Sequence, residues 1–122
     1  MAPKEMAQLY HLATGIEMTE AELMVIGERI HNVEKMFNVL HAGFTRKDDY
    51  PPERLMTEPI KSGPCKGELL NKADWDRTLD EYYEVHGWDR FTSWPAQAKL
   101  NELGLSECTE MLKEARRLHL TA

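Results

Sequence analysis

Apolar residues recur at helical spacing over most of this chain. From Pro3 to Thr14, Met6, Leu9, Tyr10 and Ala13 stand three or four apart, with Pro3 in the first turn and Gly15 just past the end. This predicts a short amphipathic helix. Met18-Thr19-Glu20-Ala21-Glu22-Leu23 then carries a strong start signal. Thr19 can accept from free first-turn N–H groups, Glu22 can reach back, and Met18 can pack on Leu23. The helix opened here runs to about His41, ahead of Gly43, and spans roughly 33 Å at 1.5 Å per residue. Along it Leu23, Ile26, Ile30, Val33, Phe37 and Leu40 alternate steps of three and four and form one apolar seam.

The stretch from Thr45 to Gly67 has a different texture, with Tyr50-Pro51-Pro52, Pro59, Gly63-Pro64 and Gly67. Prolines remove donors and restrict the residues before them, so at most Pro52 to Thr57 forms a helical turn. Loops this long inside a compact domain are usually functional or pack against something else. Helix returns at Asn71, a good cap, with Trp75, Leu79, Tyr82, Tyr83 and His86 on one side, expected to face the core, and Gly87 as the stop. Pro95 to Leu103 predicts a short helix closed by Gly104. Ser106 is placed to cap a last helix carrying Met111, Leu112, Ala115 and Leu118. No alternating strand pattern competes. The fold class is therefore all-α: an irregular bundle of about five helices with one long Pro/Gly-rich loop, spanning residues 1–122 as a single domain.

Composition narrows the function. The 122 residues carry a net charge of −6, which argues against a nucleic-acid backbone binder. The longest apolar run, Leu23 to Ile26, is far short of the ~20 residues of a membrane helix, so no membrane partner is expected. Cys65 and Cys108 form no CxxC pair and suit a reducing, cytoplasmic setting.

No complete active site can be assembled from the residues. Glu28-Arg29-Ile30-His31 has the E-x-x-H spacing of di-iron bundles, but no second such pair exists. Cys65 has Lys66 and glycines beside it, yet no local base. Cys108 reads as a small core residue. The aromatic and acidic run from Glu81 to Asp89 reads first as a core stripe flanked by solvated carboxylates. Arg46-Lys47-Asp48-Asp49 can serve either as a solvated turn or as a polar contact. Glycine-rich phosphate loops, HExxH and GxSxG are missing from the sequence.

Five blocks, in order, do resemble a known family. They are Gly27 to Asn38 (GERIHNVEKMFN), Gly43 to Asp49 (GFTRKDD), Pro52-Glu53-Arg54, Leu79 to Tyr83 (LDEYY) through Gly87-Trp88-Asp89, and Lys99 to Leu105 (KLNELGL). Together they look like the C-terminal end of the tungsten-containing aldehyde:ferredoxin oxidoreductases, with GFTRKDD the most diagnostic block. A related branch, acting on benzoyl thioesters, fits equally well.

The resemblance implies an oxidoreductase with a tungsten or molybdenum bis-pterin and one four-iron four-sulfur cluster enclosed between three domains, with ferredoxin as acceptor. It matches this chain to the tail of the third domain. The family's Asp-x-x-Gly-x-Cys motif, which supplies pterin and cluster contacts, does not occur in residues 1 to 15. No catalytic, cofactor or metal ligand is therefore carried over, and no cofactor is expected on this chain alone. Phe44, Arg46, Asp48, Asp49 and Tyr50 are the candidate interdomain contacts. The expected partners are the remaining domains or a separate subunit, with self-association when the chain is isolated. Two other readings stand beside this one. The first is a free-standing helical module docking on a separate catalytic subunit, which the natural reading frame would distinguish. The second is an autonomous enzyme using Cys65, or Glu28 and His31.

Overall fold

A computed structural model describes residues 2–115. Among these residues it holds six α-helices: α1 (Pro3–Thr14), α2 (Glu20–Phe37), α3 (Arg54–Thr57), α4 (Lys72–His86), α5 (Gln97–Glu102) and α6 (Ser106–Glu114). An antiparallel bridge joins Trp88 and Pro95. The all-α expectation holds.

Local chemistry explains most of the boundaries. Thr19 Oγ1 accepts from the Glu22 N–H at 3.2 Å, and the Glu22 carboxylate accepts from the Thr19 N–H at 2.8 Å, the reciprocal cap read from the sequence. Asn71 Oδ1 accepts from the N–H groups of Ala73 and Asp74 and starts α4. That helix stops at Gly87, whose φ of 65° suits glycine. A Cβ there would also stand 2.9 Å from the Lys99 side chain.

Three boundaries differ from expectation. After Phe37 the long helix widens into a π-turn, Asn38–Ala42, before Gly43 ends it. The short helix starts at Gln97 because Pro95 is held in the bridge to Trp88. Ser106 is the first residue of α6 and not its cap; Leu105 takes that position and offers no side-chain acceptor. The expectation for Leu118 lies outside the described residues.

Two small cores hold the helices. Met36 and Val39 meet Leu100 and Leu112, with Leu40, Trp94, Leu105 and Cys108 around them. Leu79, Tyr83 and Trp88 form the second core, flanked by Tyr50 and Trp75. The aromatic side of α4 thus faces inward only in part, since Tyr82 remains exposed.

The larger surprise concerns α2. Its inward face is Asn32, Lys35 and Met36, with Asn32 at 0% exposure and Lys35 at 7%. The apolar seam points the other way: Ile26 and Val33 are exposed, as are Ile30 at 56% and Phe37 at 58%. A helix normally turns its apolar stripe to the core. Leu23 is half-buried and Leu40 packs on the first core, but between them the stripe is open.

One backbone position is strained. Ser93 is fully buried with φ of 65°, and its hydroxyl has no hydrogen-bond partner among the described residues. The left-handed region costs a non-glycine residue about 1 kcal/mol. Ser93→Gly should therefore raise stability in urea unfolding, by less than that amount because glycine also frees the unfolded chain, and a loss above ~1 kcal/mol would contradict this account.

Candidate functional site

The loop that follows the π-turn is clamped to α4. Thr45 and Asp48 bracket a 3₁₀ turn, Arg46–Asp49, with the Thr45 N–H donating to Asp48 Oδ2 at 2.8 Å. That bond holds the Asp48 carboxyl below its ordinary range. The Arg46 guanidinium donates to the Asp80 carboxylate, to the Arg90 carbonyl at 2.7 Å and to the Asp76 carbonyl at 3.0 Å. Tyr50 OH donates to the Asp76 carboxylate, which also receives Lys72 Nζ at 2.7 Å. Bonds from Lys72 and Tyr50 bring the Asp76 carboxyl down to about 2.

Asp49 is the centre of the clamp. Its Oδ2 accepts from Lys35 Nζ at 3.0 Å and from Tyr83 OH at 2.6 Å. Burial and the bond to Asp49 push the Tyr83 phenol well above its ordinary value. The Trp94 indole N–H reaches the Phe44 carbonyl at 2.9 Å, and the Arg46 N–H reaches the Thr92 carbonyl at 3.0 Å. Arg46, Asp48, Asp49 and Tyr50 are thus brought together by partners inside the chain, and Phe44 lies half-buried at their edge.

A second cluster lies where α2 crosses α4. Trp88 Nε1 donates to buried Asn32 at 2.9 Å, and Asn32 Nδ2 donates to the Glu28 carbonyl at 2.9 Å. Lys35 Nζ sits 4.9 Å from the Trp88 ring centroid, a cation–π contact. His31 stacks on Trp88 with centroids 5.1 Å apart, lies 2.7 Å from Tyr82 OH through Nε2, and approaches His86 to 4.7 Å. The two imidazoles border an open groove of about 690 Å³ between α1, α2 and α4. Its walls include Met6, Leu23, Met24, Gly27, Ile30 and Val85.

Sequence spacing placed His86 and Tyr82 on one side of α4 but gave no sign that His31 and Trp88 would join them. It also missed Asn32 and Lys35 as interior groups. The one available signal was that both stand on the side of the helix away from its apolar seam.

Chemically, the cluster offers two imidazoles and a phenol beside an open groove. Glu28 is held by Lys99 Nζ at 2.9 Å. Among the described residues no three His, Cys, Asp or Glu side chains are placed to share a metal ion. A four-iron cluster requires four thiolates, and this sequence has two cysteines: Cys65, exposed in the loop, and half-buried Cys108 on α6. These donors do not fit such a cluster.

The histidine pair has a consequence for stability. Burial, and then the charge of His31, lower His86 below its ordinary value, with Lys99 acting in the same direction and Glu28 opposing. The unfolded chain takes up that proton near pH ~6.5, the folded chain at lower pH. Stability should be flat above pH ~7 and fall as pH drops below ~6.5. The lowered carboxyls Asp76, Glu22 and Asp48 lose their contributions only at still lower pH. Thermal melts at pH 7.5 and 5.5 should show a lower Tm at the acid value, and His86→Gln should flatten the difference.

The geometry can be set beside known proteins. A family profile described as aldehyde ferredoxin oxidoreductase, domains 2 & 3, matches residues 1–105. The chain is 35% identical over 99 residues to the tungsten-containing aldehyde ferredoxin oxidoreductase of Pyrococcus furiosus, covering 81% of this chain and 16% of that protein. The enzyme of the same name from Thermococcus kodakarensis is 32% identical over 99 residues, with the same coverage. A third relative, the WOR-like subunit of an aliphatic sulfonate oxidoreductase from Pyrococcus furiosus, is 33% identical over 109 residues, or 85% of this chain and 17% of that subunit. The chain spans about a sixth of the length of these relatives.

Proposed function

Because the chain belongs to the aldehyde ferredoxin oxidoreductase family, we propose that it acts as the C-terminal helical domain of such an enzyme, completing the structure and part of the cofactor enclosure without being active alone. The observation that carries this reading is the orientation of α2. Its polar side is consumed by the chain's own core, while Ile26, Ile30, Val33 and Phe37 are left open to solvent. Contiguous exposed apolar surface of this kind marks an interaction face.

The relative from Pyrococcus furiosus is named as tungsten-containing. The pterin and cluster ligands would come from the remaining polypeptide or a separate subunit, with tungsten or molybdenum bound there and ferredoxin taking the electrons. No helix among the described residues is long and apolar enough to cross a membrane. The intact enzyme would work in the cytoplasm.

Phe44, Arg46, Asp48, Asp49 and Tyr50 keep a place in this reading. Arg46, Asp49 and Tyr50 fix the loop against α4 while Asp48 closes its 3₁₀ turn on Thr45, and the loop then presents Phe44 and its edge to a neighbouring domain. An isolated chain should self-associate at high concentration through its open apolar face, which light scattering would register.

The deciding experiment is elemental analysis for tungsten, molybdenum and iron on protein purified anaerobically from its native source, with the mass of every co-purifying chain. Metal together with a larger polypeptide, continuous or separate, is expected. A metal-free 14.1 kDa species without any partner would overturn the reading.

A further inference from the structure

The exposed ridge of α2 has a shape more specific than general stickiness. We propose that the ridge from Ile26 to Phe37 seats one amphipathic helix from the remaining part of the oxidoreductase, whose backbone comes closest at Gly27. The inference rests on the reading of this chain as one domain of a longer enzyme and names the surface and the kind of partner.

Three observations support it. The open residues Ile26, Ile30, Val33 and Phe37 keep a 4-3-4 spacing, a period near 3.5. That narrow stripe is how a helix meets another single helix through knobs and holes. The second observation is Gly27, in the middle of α2 on the flank of the ridge that borders the groove. Glycine inside a helix is unfavourable relative to alanine. Nothing among the described residues accounts for it, since a Cβ built there has no neighbour within 4 Å outside its own stretch of helix. A notch without an internal occupant suits the close approach of an outside backbone. The third is the groove alongside, where Met6 of α1 and Val85 of α4 give the incoming helix a second apolar wall.

The choice of occupant follows from length and charge. The relatives are about six times as long as the matched segment, so most of the polypeptide that could cover the ridge lies outside this chain. A second copy would bring a net charge of −6 against −6, with Glu34 exposed beside the ridge on both sides. A helix bearing Lys or Arg next to its apolar stripe meets that charge favourably. Self-association of the isolated chain is the weaker, concentration-driven use of the same face.

Two measurements on the complete enzyme test this. In Gly27→Leu the added Cβ meets no side chain among the described residues, and on helix propensity alone the change would raise stability. The expected result is instead a Tm lowered by more than 5 °C, with faster proteolytic release of the helical domain. An unchanged or raised Tm overturns the proposal. In parallel, a benzophenone amino acid placed at position 30 should crosslink on irradiation to a peptide from another domain of the oxidoreductase or from its catalytic subunit. A crosslink to α2 of a second copy, or none at all, overturns it. If metal and the larger polypeptide co-purify while position 30 stays uncrosslinked, the ridge assignment fails and the domain reading survives; a lone metal-free chain removes both.

Discussion

Asp49→Ala should cost about 3 kcal/mol, the cost of leaving a buried cation without its counter-charge. Lys35 is 7% exposed and ends on Asp49 Oδ2 at 3.0 Å, with the Trp88 ring on another side. The same oxygen accepts the Tyr83 hydroxyl. Removing the carboxylate strands an ammonium and a phenol together and releases the loop that Arg46 and Tyr50 pin to α4. Because Asp49 itself is partly solvent-exposed, the loss sits at the lower end for a broken interior pair. Small domains hold ~5–15 kcal/mol in total, so the variant gives up a large share. Urea unfolding of the two proteins would measure it. A loss under ~1 kcal/mol would mean that Lys35 reaches water through its flexible stem and that the clamp is not what fixes the loop.

Trp88→Ala should be at least as severe, about 4 kcal/mol, the usual range for removing an interior aromatic. The indole fills the second core with Leu79 and Tyr83, stacks on His31, lies under Lys35 and satisfies Asn32. Trp88→Phe separates these roles. It keeps most of the packing but leaves the Asn32 amide oxygen without its buried donor, which should cost about 1–2 kcal/mol. The double variant with Asp49→Ala should lose less than the sum of the two, since both act on Lys35. Additive losses would show that the tryptophan and the ion pair stabilise separate parts of the fold.

Element type was legible because helical period, caps and stops agree along this chain. The reciprocal cap at Thr19 and Glu22, the Asn71 cap and the stops at Gly15 and Gly87 all appear where their chemistry demands. The direction of α2 was not legible. A period shows that a helix has an apolar side, but what covers that side depends on atoms outside the window. Asn32 and Lys35 were hidden for a related reason. A polar residue goes inside only when a distant partner meets it, and Trp88 and Asp49 lie 56 and 14 positions away. The loop residues show the same limit. Arg46 was recognised as able to pair, but its partners Asp80 and Arg90 sit 34 and 44 residues on. Local spacing carries no information about such closures.

The π-turn at Asn38–Ala42 sets the reading frame of everything after it. A π-turn is an α-turn with one residue inserted, and each residue of an α-helix rotates the chain by ~100°. The extra residue therefore turns the exit of α2 by about a quarter of a circle, and only then do the Phe44 carbonyl and the Arg46 amide face Trp94 and Thr92. Deletion of one residue between 38 and 42 would convert the bulge to ordinary helix. Such a protein would keep its helical content by circular dichroism while sending the loop out of phase, so a single-codon deletion here would be more disruptive than one among the exposed residues of the Pro/Gly-rich loop.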